Sequence, residues 1–166
     1  MEEQWSDPGR LARLYAPAVY RLAYARTGSR ADAEDIMQEV FLRLLRARPN
    51  LTGPEHAKAW LLRVTANCAC DFFRAPWRRR EGPLEENTPA PEGEREDETV
   101  LQAVISLPAK YRIPIHLYYY EQLSVAEIAE IMGKSQGTVK SRLFRARVQL
   151  REQLEEQWEE DGYAQS

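Results

Sequence analysis

Apolar residues recur at helical spacing in nearly every patterned stretch of this chain. Leu11, Leu14, Tyr15, Val19, Leu22 and Ala23 follow an i, i+3, i+4 rhythm. They predict a first helix over 11–26, with Pro17 shifting its start or kinking it. Thr27, Gly28 and Ser29 break the pattern, and Ser29 with Asp32 predicts the start of a second helix running to about Arg46. On its wheel Ala33, Ile36, Met37, Val40, Phe41 and Leu44 fill one face as ordinary core. The opposite side holds Asp35, Gln38, Glu39, Leu42 and Arg46, where Leu42 is an apolar residue among polar ones. A third helix is expected from a capping box of Thr52 and Glu55, with Pro54 in its first turn, to about Arg74. Its buried stripe reads Ala57, Trp60, Leu61, Val64, Cys68 and Phe72. Arg63, Asn67 and Arg74 form a second, polar stripe with Cys70 between them, followed by Arg78, Arg79 and Arg80. Such a stripe is either a solvated face or a surface that holds a nucleic-acid strand by its backbone and reads one base with the amide.

Residues 81–98 (EGPLEENTPAPEGEREDE) interrupt this rhythm. Three prolines, two glycines and eight acids leave Leu84 and Ala90 as the apolar residues. The segment cannot bury a core and is expected to be a flexible acidic linker. It divides the chain into an N-terminal helical domain over 1–80 and a C-terminal domain over 99–166. Thr99 is expected to cap a short helix over 100–107, and Pro108 to open the next, to about Tyr120. Pro114 inside that helix predicts a kink or a late start. Leu117 and Tyr118–Tyr120 are expected to pack on the segment that follows.

That segment, SVAEIAEIMGKSQGTVKSRLFRARVQL over 124–150, carries the sharpest local signals. Ser124 and Glu127 form a capping box, and Val125, Ile128, Ala129 and Met132 continue a helix that Gly133 ends. Ser135 can cap a second helix with Val139, Leu143, Ala146 and Leu150 on one side. Lys140, Ser141, Arg142, Arg145 and Arg147 fill much of the rest. Two helices joined by a short Gly-containing turn, the second one basic, predict a helix-turn-helix with a recognition helix for the DNA major groove. No alternating strand pattern occurs. The expected fold class is all-α: two small helical domains joined by a flexible acidic linker, the C-terminal one containing the helix-turn-helix.

Charge sharpens this picture. The net charge of −3 conceals three unlike parts. Residues 1–80 carry 14 basic and 9 acidic groups, and residues 81–99 carry 1 and 8. Residues 133–151 hold six basic groups and no acid, whereas 152–161 hold six acids and no base. A solvated helix face interleaves both signs, so this segregation points to a phosphate-binding surface. Cys68 and Cys70 are the two cysteines; two residues apart on a helix they point away from each other and neither chelate one metal nor bridge. They read as free thiols. With His56 and His116 as the two histidines, no metal-ligand cluster emerges, and no cofactor is expected. There is no Gly-rich phosphate loop and no nucleophile–base set, so no enzymatic activity is expected. No apolar run approaches a membrane span and no signal sequence opens the chain, so a cytoplasmic location without membrane insertion is expected.

These residues resemble a known family. AEDIMQEVFLRLLRA (33–47), AWLLRVTANCACDFFR (59–74) and LPAKYRIPIHLYYYEQLSVAEIAEIMGKSQGTVKSRLFRARVQL (107–150) are similar to segments of the extracytoplasmic-function (ECF) sigma factors of bacterial RNA polymerase. The likeness covers about residues 10–155. It implies that Asp35, Gln38, Glu39 and Leu42 dock on the clamp helices of the largest polymerase subunit. It implies that Asn67 meets a base flipped from the −10 element, in a pocket the 50–54 loop helps form, with Arg63 and Arg74 on nearby phosphates. In the last domain it gives Lys140, Ser141, Phe144 and Arg145 to the −35 element and Arg147 to a phosphate contact. Phe144 lies one wheel step from Leu143, so core packing is the competing reading. The implied partners are core RNA polymerase, promoter DNA and an anti-sigma factor. The rival reading is a dimeric helix-turn-helix regulator that binds DNA without being a polymerase subunit; it requires a sensor or dimerisation segment that residues 1–80 provide poorly.

Overall fold

The computed structural model describes residue 5, residues 7–72 and residues 101–164, and all regular structure among them is helical. Arg74, Arg78–Arg80, the 81–98 segment and Thr99 lie outside the described residues. Helix α1 (Pro8–Thr27) begins earlier than its apolar rhythm predicts. Asp7 caps it by accepting the Gly9 amide at 3.0 Å, and Pro8 stands at the first position, where no N–H is needed. Pro17 is carried inside the helix, which forgoes one intrahelical bond there. Gly28 (φ 69°) closes α1 in the left-handed conformation, and a Cβ there would meet Ile105 at 3.0 Å.

Ser29 accepts the Asp32 amide at 3.3 Å to start α2 (Arg30–Ala47), as its sequence predicts. Ala33, Ile36, Val40 and Leu44 are buried along it, with Met37 and Phe41 half-buried. The capping box expected of Thr52 and Glu55 shifts by one residue. The Gly53 carbonyl receives the Ala57 amide, so α3 spans Pro54–Phe72, and His56 takes the reach-back position with Nδ1 3.2 Å from the Thr52 nitrogen.

Beyond the undescribed stretch, residues 101–105 form α4. Helix α5 (Ala109–Tyr119) follows Pro108 directly and contains Pro114, so the late start does not occur. Helix α6 (Val125–Met132) and α7 (Gln136–Ala164) complete the chain.

Leu11, Val19, Ala23, Ile36, Val40, Leu61 and Phe72 belong to one core, shared by α1, α2 and α3. A second core joins Leu107, Ile115, Leu117, Ile128, Val139 and Leu143 with Ala18, Leu22 and Ala25 of α1 and Leu62 and Ala66 of α3. Helix α6 packs on α3, and α5 packs on α1. The first three helices and the last four therefore pack on each other. This explains why Leu62 and Ala66 of α3 are buried beyond the predicted stripe; Thr65 and Ala69 are buried as well, while Trp60 and Val64 are only partly so. The Thr65 hydroxyl is satisfied inside its own helix, donating to the Leu61 carbonyl at 2.6 Å.

Leu62→Ala opens a cavity in the second core rather than the first. The expected loss is about 2–5 kcal/mol in denaturant unfolding, against about 0.5 kcal/mol or less for a change at exposed Glu34.

Candidate nucleic-acid interface

The helix-turn-helix is built by the polar contacts its sequence calls for. Ser124 Oγ accepts the Glu127 amide and Glu127 Oε1 accepts the Ser124 amide, both at 3.1 Å. Gly133 (φ 64°) takes the left-handed conformation that ends α6 and turns the chain. Ser135 Oγ then accepts the Thr138 amide at 3.1 Å at the start of α7. Val139, Leu143 and Ala146 are buried, which fixes the rotation of α7 about its axis. Lys140, Ser141, Phe144, Arg145 and Arg147 consequently all face solvent. Phe144 is 66% exposed, so core packing is not its role. Val148, one turn further on, is exposed beside it.

One of the basic side chains is held by tyrosines of α5. Arg147 Nε donates to the Tyr119 hydroxyl at 2.6 Å, and its guanidinium lies 5.1 Å from the Tyr118 ring centre and 5.5 Å from that of Tyr119. Burial opposes ionisation of the Tyr111 phenol, but hydrogen bonding and charge from Arg145 and Lys110 bring its pKa below the usual value. The tyrosine run thus does more than fill the core behind the helix-turn-helix. Tyr120 also has a partner outside that expectation: Arg21 of α1 lies 5.0 Å from its ring centre. No spacing rule links residues 28 positions apart such as Tyr119 and Arg147, so sequence periodicity could not reveal these pairs.

A second surface lies on α3. Arg63, Asn67 and Cys70 are exposed together along one stripe, and Arg74 falls outside the described residues. Cys68 is buried, and that burial pushes its thiol up to about 11, so it is an inert packing group at neutral pH. A third surface lies on α2. Asp35 and Gln38 are exposed, Leu42 is 44% exposed and Leu45 52%. Glu39 is half-buried and accepts Arg43 Nε at 3.2 Å, with Arg46 at 4.0 Å. Among the described residues no group of three or more His, Cys, Asp or Glu could hold a metal ion, and no helix is long and apolar enough to cross a membrane.

Comparison with known proteins gives this arrangement its family. Residues 11–79 match the model of sigma-70 region 2, and residues 97–150 match that of sigma-70 region 4. SigW of Bacillus subtilis, an ECF RNA polymerase sigma factor, is 32% identical over 161 residues, with 85% of each chain covered. This chain belongs to the ECF sigma factors. SigV of Bacillus subtilis is 34% identical, covering 81% of this chain and 83% of its own length. SigE of Mycolicibacterium smegmatis is 39% identical over 155 residues, and this ECF chain spans 60% of its length. Among solved structures, the sigma factor RpoE of Bartonella quintana, in complex with the anti-sigma factor NepR, superposes with a TM-score of 0.68 at 27% identity. It covers 87% of this chain and 94% of RpoE. In this ECF chain the two matched regions contain, respectively, the α2 and α3 surfaces and the helix-turn-helix.

The neighbours Leu143 and Phe144 separate core from surface. Leu143→Ala is expected to cost about 2–5 kcal/mol of stability, and Phe144→Ser about 0.5 kcal/mol or less, both read from urea midpoints.

Proposed function

We propose that this protein is a non-enzymatic promoter-specificity subunit of RNA polymerase that contacts two DNA elements and helps melt the nearer one. The observation that carries the reading is the pairing, in one chain, of an exposed basic recognition face on α7 with a separate exposed Arg63–Asn67 stripe on α3. In this reading Lys140, Ser141, Phe144 and Arg145 face the −35 element. Arg145 is suited to a guanine edge, a contact worth about 1–3 kcal/mol of discrimination. Arg147 approaches a phosphate while Tyr119 steadies it. Asn67 reads a base flipped from the −10 element at the cost of unstacking it, and Arg63 and Arg74 neutralise the phosphates beside it. Asp35, Gln38, Glu39 and Leu42 dock on the clamp helices of the polymerase, where Leu42 supplies the apolar contact. The engagement of Glu39 with Arg43 supports a role for that carboxylate in shaping the α2 surface as well as in docking.

The sequence likeness to ECF sigma factors and the exposure of Lys140, Phe144, Arg145, Arg63, Asn67 and Leu42 support the reading together. Its sites are cytoplasmic ones, and no cofactor or metal enters it. An anti-sigma factor is a further partner, supported by the likeness to RpoE, which was solved with NepR. A dimeric regulator is the poorer account, because residues 8–72 form three helices whose apolar faces are committed to two cores.

Run-off transcription with purified core polymerase and genomic fragments tests the proposal. Start sites that depend on this protein are expected, and their absence refutes it. Arg145→Ala is expected to reduce initiation about 5- to 100-fold at its own −35 sequences while leaving −35-mutated templates little changed. Leu42→Ala is expected to weaken capture of core polymerase in a pull-down while circular dichroism remains unaltered.

A further inference from the structure

Where the first three helices meet the last four, His116 and Glu121 are buried among partly exposed polar side chains. Arg112 and His116 of α5 and Tyr120, which caps its C-terminus, are spaced four apart and share one stripe. Arg112 Nη1 donates to the Arg26 carbonyl near the end of α1 at 2.9 Å, and the Tyr120 ring carries Arg21 of α1. His116, between them, therefore faces α1. Its imidazole stacks on Tyr120 with ring centres 5.0 Å apart, and neither ring nitrogen has a hydrogen-bond partner among the described residues.

Just past α5, Glu121 reaches across the junction. One carboxylate oxygen accepts Lys58 Nζ of α3 at 2.9 Å, and the other accepts Arg21 Nη2 of α1 at 3.4 Å. The Glu121 side chain is only 3% exposed. Two cations from the first group of helices thus converge on one buried anion of the second. Apolar packing alone tolerates sliding. A buried carboxylate fixed by two cations does not, and losing either partner strands a charge.

The two promoter elements set a distance the closed chain cannot match. Their centres are about 25 base pairs apart, or about 85 Å of duplex at ~3.4 Å per step. A compact chain of this length has a radius of gyration of only about 15 Å. We infer that this junction is a latch: Glu121, seated between Arg21 and Lys58 beside His116, holds the chain in a closed state that has to release before both promoter elements can be contacted. The purpose of the latch rests on the promoter-binding reading, whereas its existence rests on the junction alone.

The buried imidazole makes the latch sensitive to acid. The charged and titratable groups around it are Glu121 beyond α5, Arg21 of α1, Lys58 of α3 behind Glu121, and Arg112 and Tyr120 on its own helix. Burial holds the His116 pKa down to about 4; Glu121 pulls it up and Arg21 pushes it further down. At neutral pH the ring is uncharged, and its 3.9 Å approach to Glu121 is not an ion pair. Released, the ring returns toward about 6.5. Between those values the open state takes up a proton that the closed state refuses. Falling pH therefore favours opening, by about tenfold per unit below 6.5.

Small-angle X-ray scattering of the full chain tests the latch without polymerase. At pH 7.5 the wild type is expected to be compact, and Glu121→Gln to raise its radius of gyration by roughly a quarter or more relative to the compact value. Circular dichroism should stay unchanged, which separates opening from unfolding. Lys58→Met should open the chain as well, because it removes the shorter of the two contacts to Glu121. Lowering the pH to 5.5 should open the wild type but not His116→Phe. A wild type already extended at pH 7.5, or Glu121→Gln and Lys58→Met chains as compact as wild type, overturns the latch. With core polymerase, Glu121→Gln should reach half-maximal run-off transcription at a several-fold lower protein concentration. Opened variants that transcribe no better than wild type overturn the need for release. Opening in scattering with no transcription from any form refutes the promoter reading and leaves the latch standing.

Discussion

The burial of α3 on two sides is the constraint from which the other surfaces follow. Leu61, Cys68 and Phe72 face the core shared with α1 and α2, while Leu62 and Ala66 face the core shared with the C-terminal helices. Thr65 lies between these directions and returns its hydroxyl to the Leu61 carbonyl, so a polar residue there costs the interior no unmet hydrogen bond. What remains for solvent beyond the first turn is a stripe of Ala59, Arg63, Asn67, Cys70 and Asp71. The outward stripe is set by subtraction. A larger side chain at Ala66 would disturb the contact with the last four helices before it altered the stripe itself.

Much of this was legible from residue order because it is local. Ser29, Ser124 and Ser135 each cap the helix that follows, and the capping box of Ser124 with Glu127 forms as its spacing requires. Gly133 ends α6 in the one backbone region that favours glycine. The α2 core face and the α7 core face follow their periodicity. The start of α3 lies one residue later than expected, and His56 accepts the Thr52 amide, a choice that helical periodicity does not resolve. Pro17 and Pro114 are each expected to kink a helix or delay its start; both helices begin before the proline and continue past it. Neighbouring packing, in which Ala18 and Val19 and likewise Ile113 and Ile115 are buried, outweighs the local penalty.

The long-range pairs were not legible. A single-helix wheel assigns each helix one buried face, so it overlooks a helix with two. Nor does it connect Tyr119 to Arg147, or Glu121 to Arg21 and Lys58, since those partners are brought together only by the packing of α5. Helix α5 is short, yet one of its sides steadies Arg147 of the recognition helix while another meets α1. A guanidinium already held against two tyrosine rings has less rotamer freedom to lose when an anion arrives. Positioning and contact with α1 therefore meet in the same eleven-residue helix.

Helix α7 runs unbroken from Gln136 to Ala164, so the basic and acidic runs that are adjacent in sequence lie along one rod. At about 1.5 Å per residue that rod is about 44 Å long. Beside any polyanion, a rod with opposite charges at its two ends experiences a torque that turns the positive end inward and swings the other away. Polarity of approach is thereby written into the helix before a single base is touched.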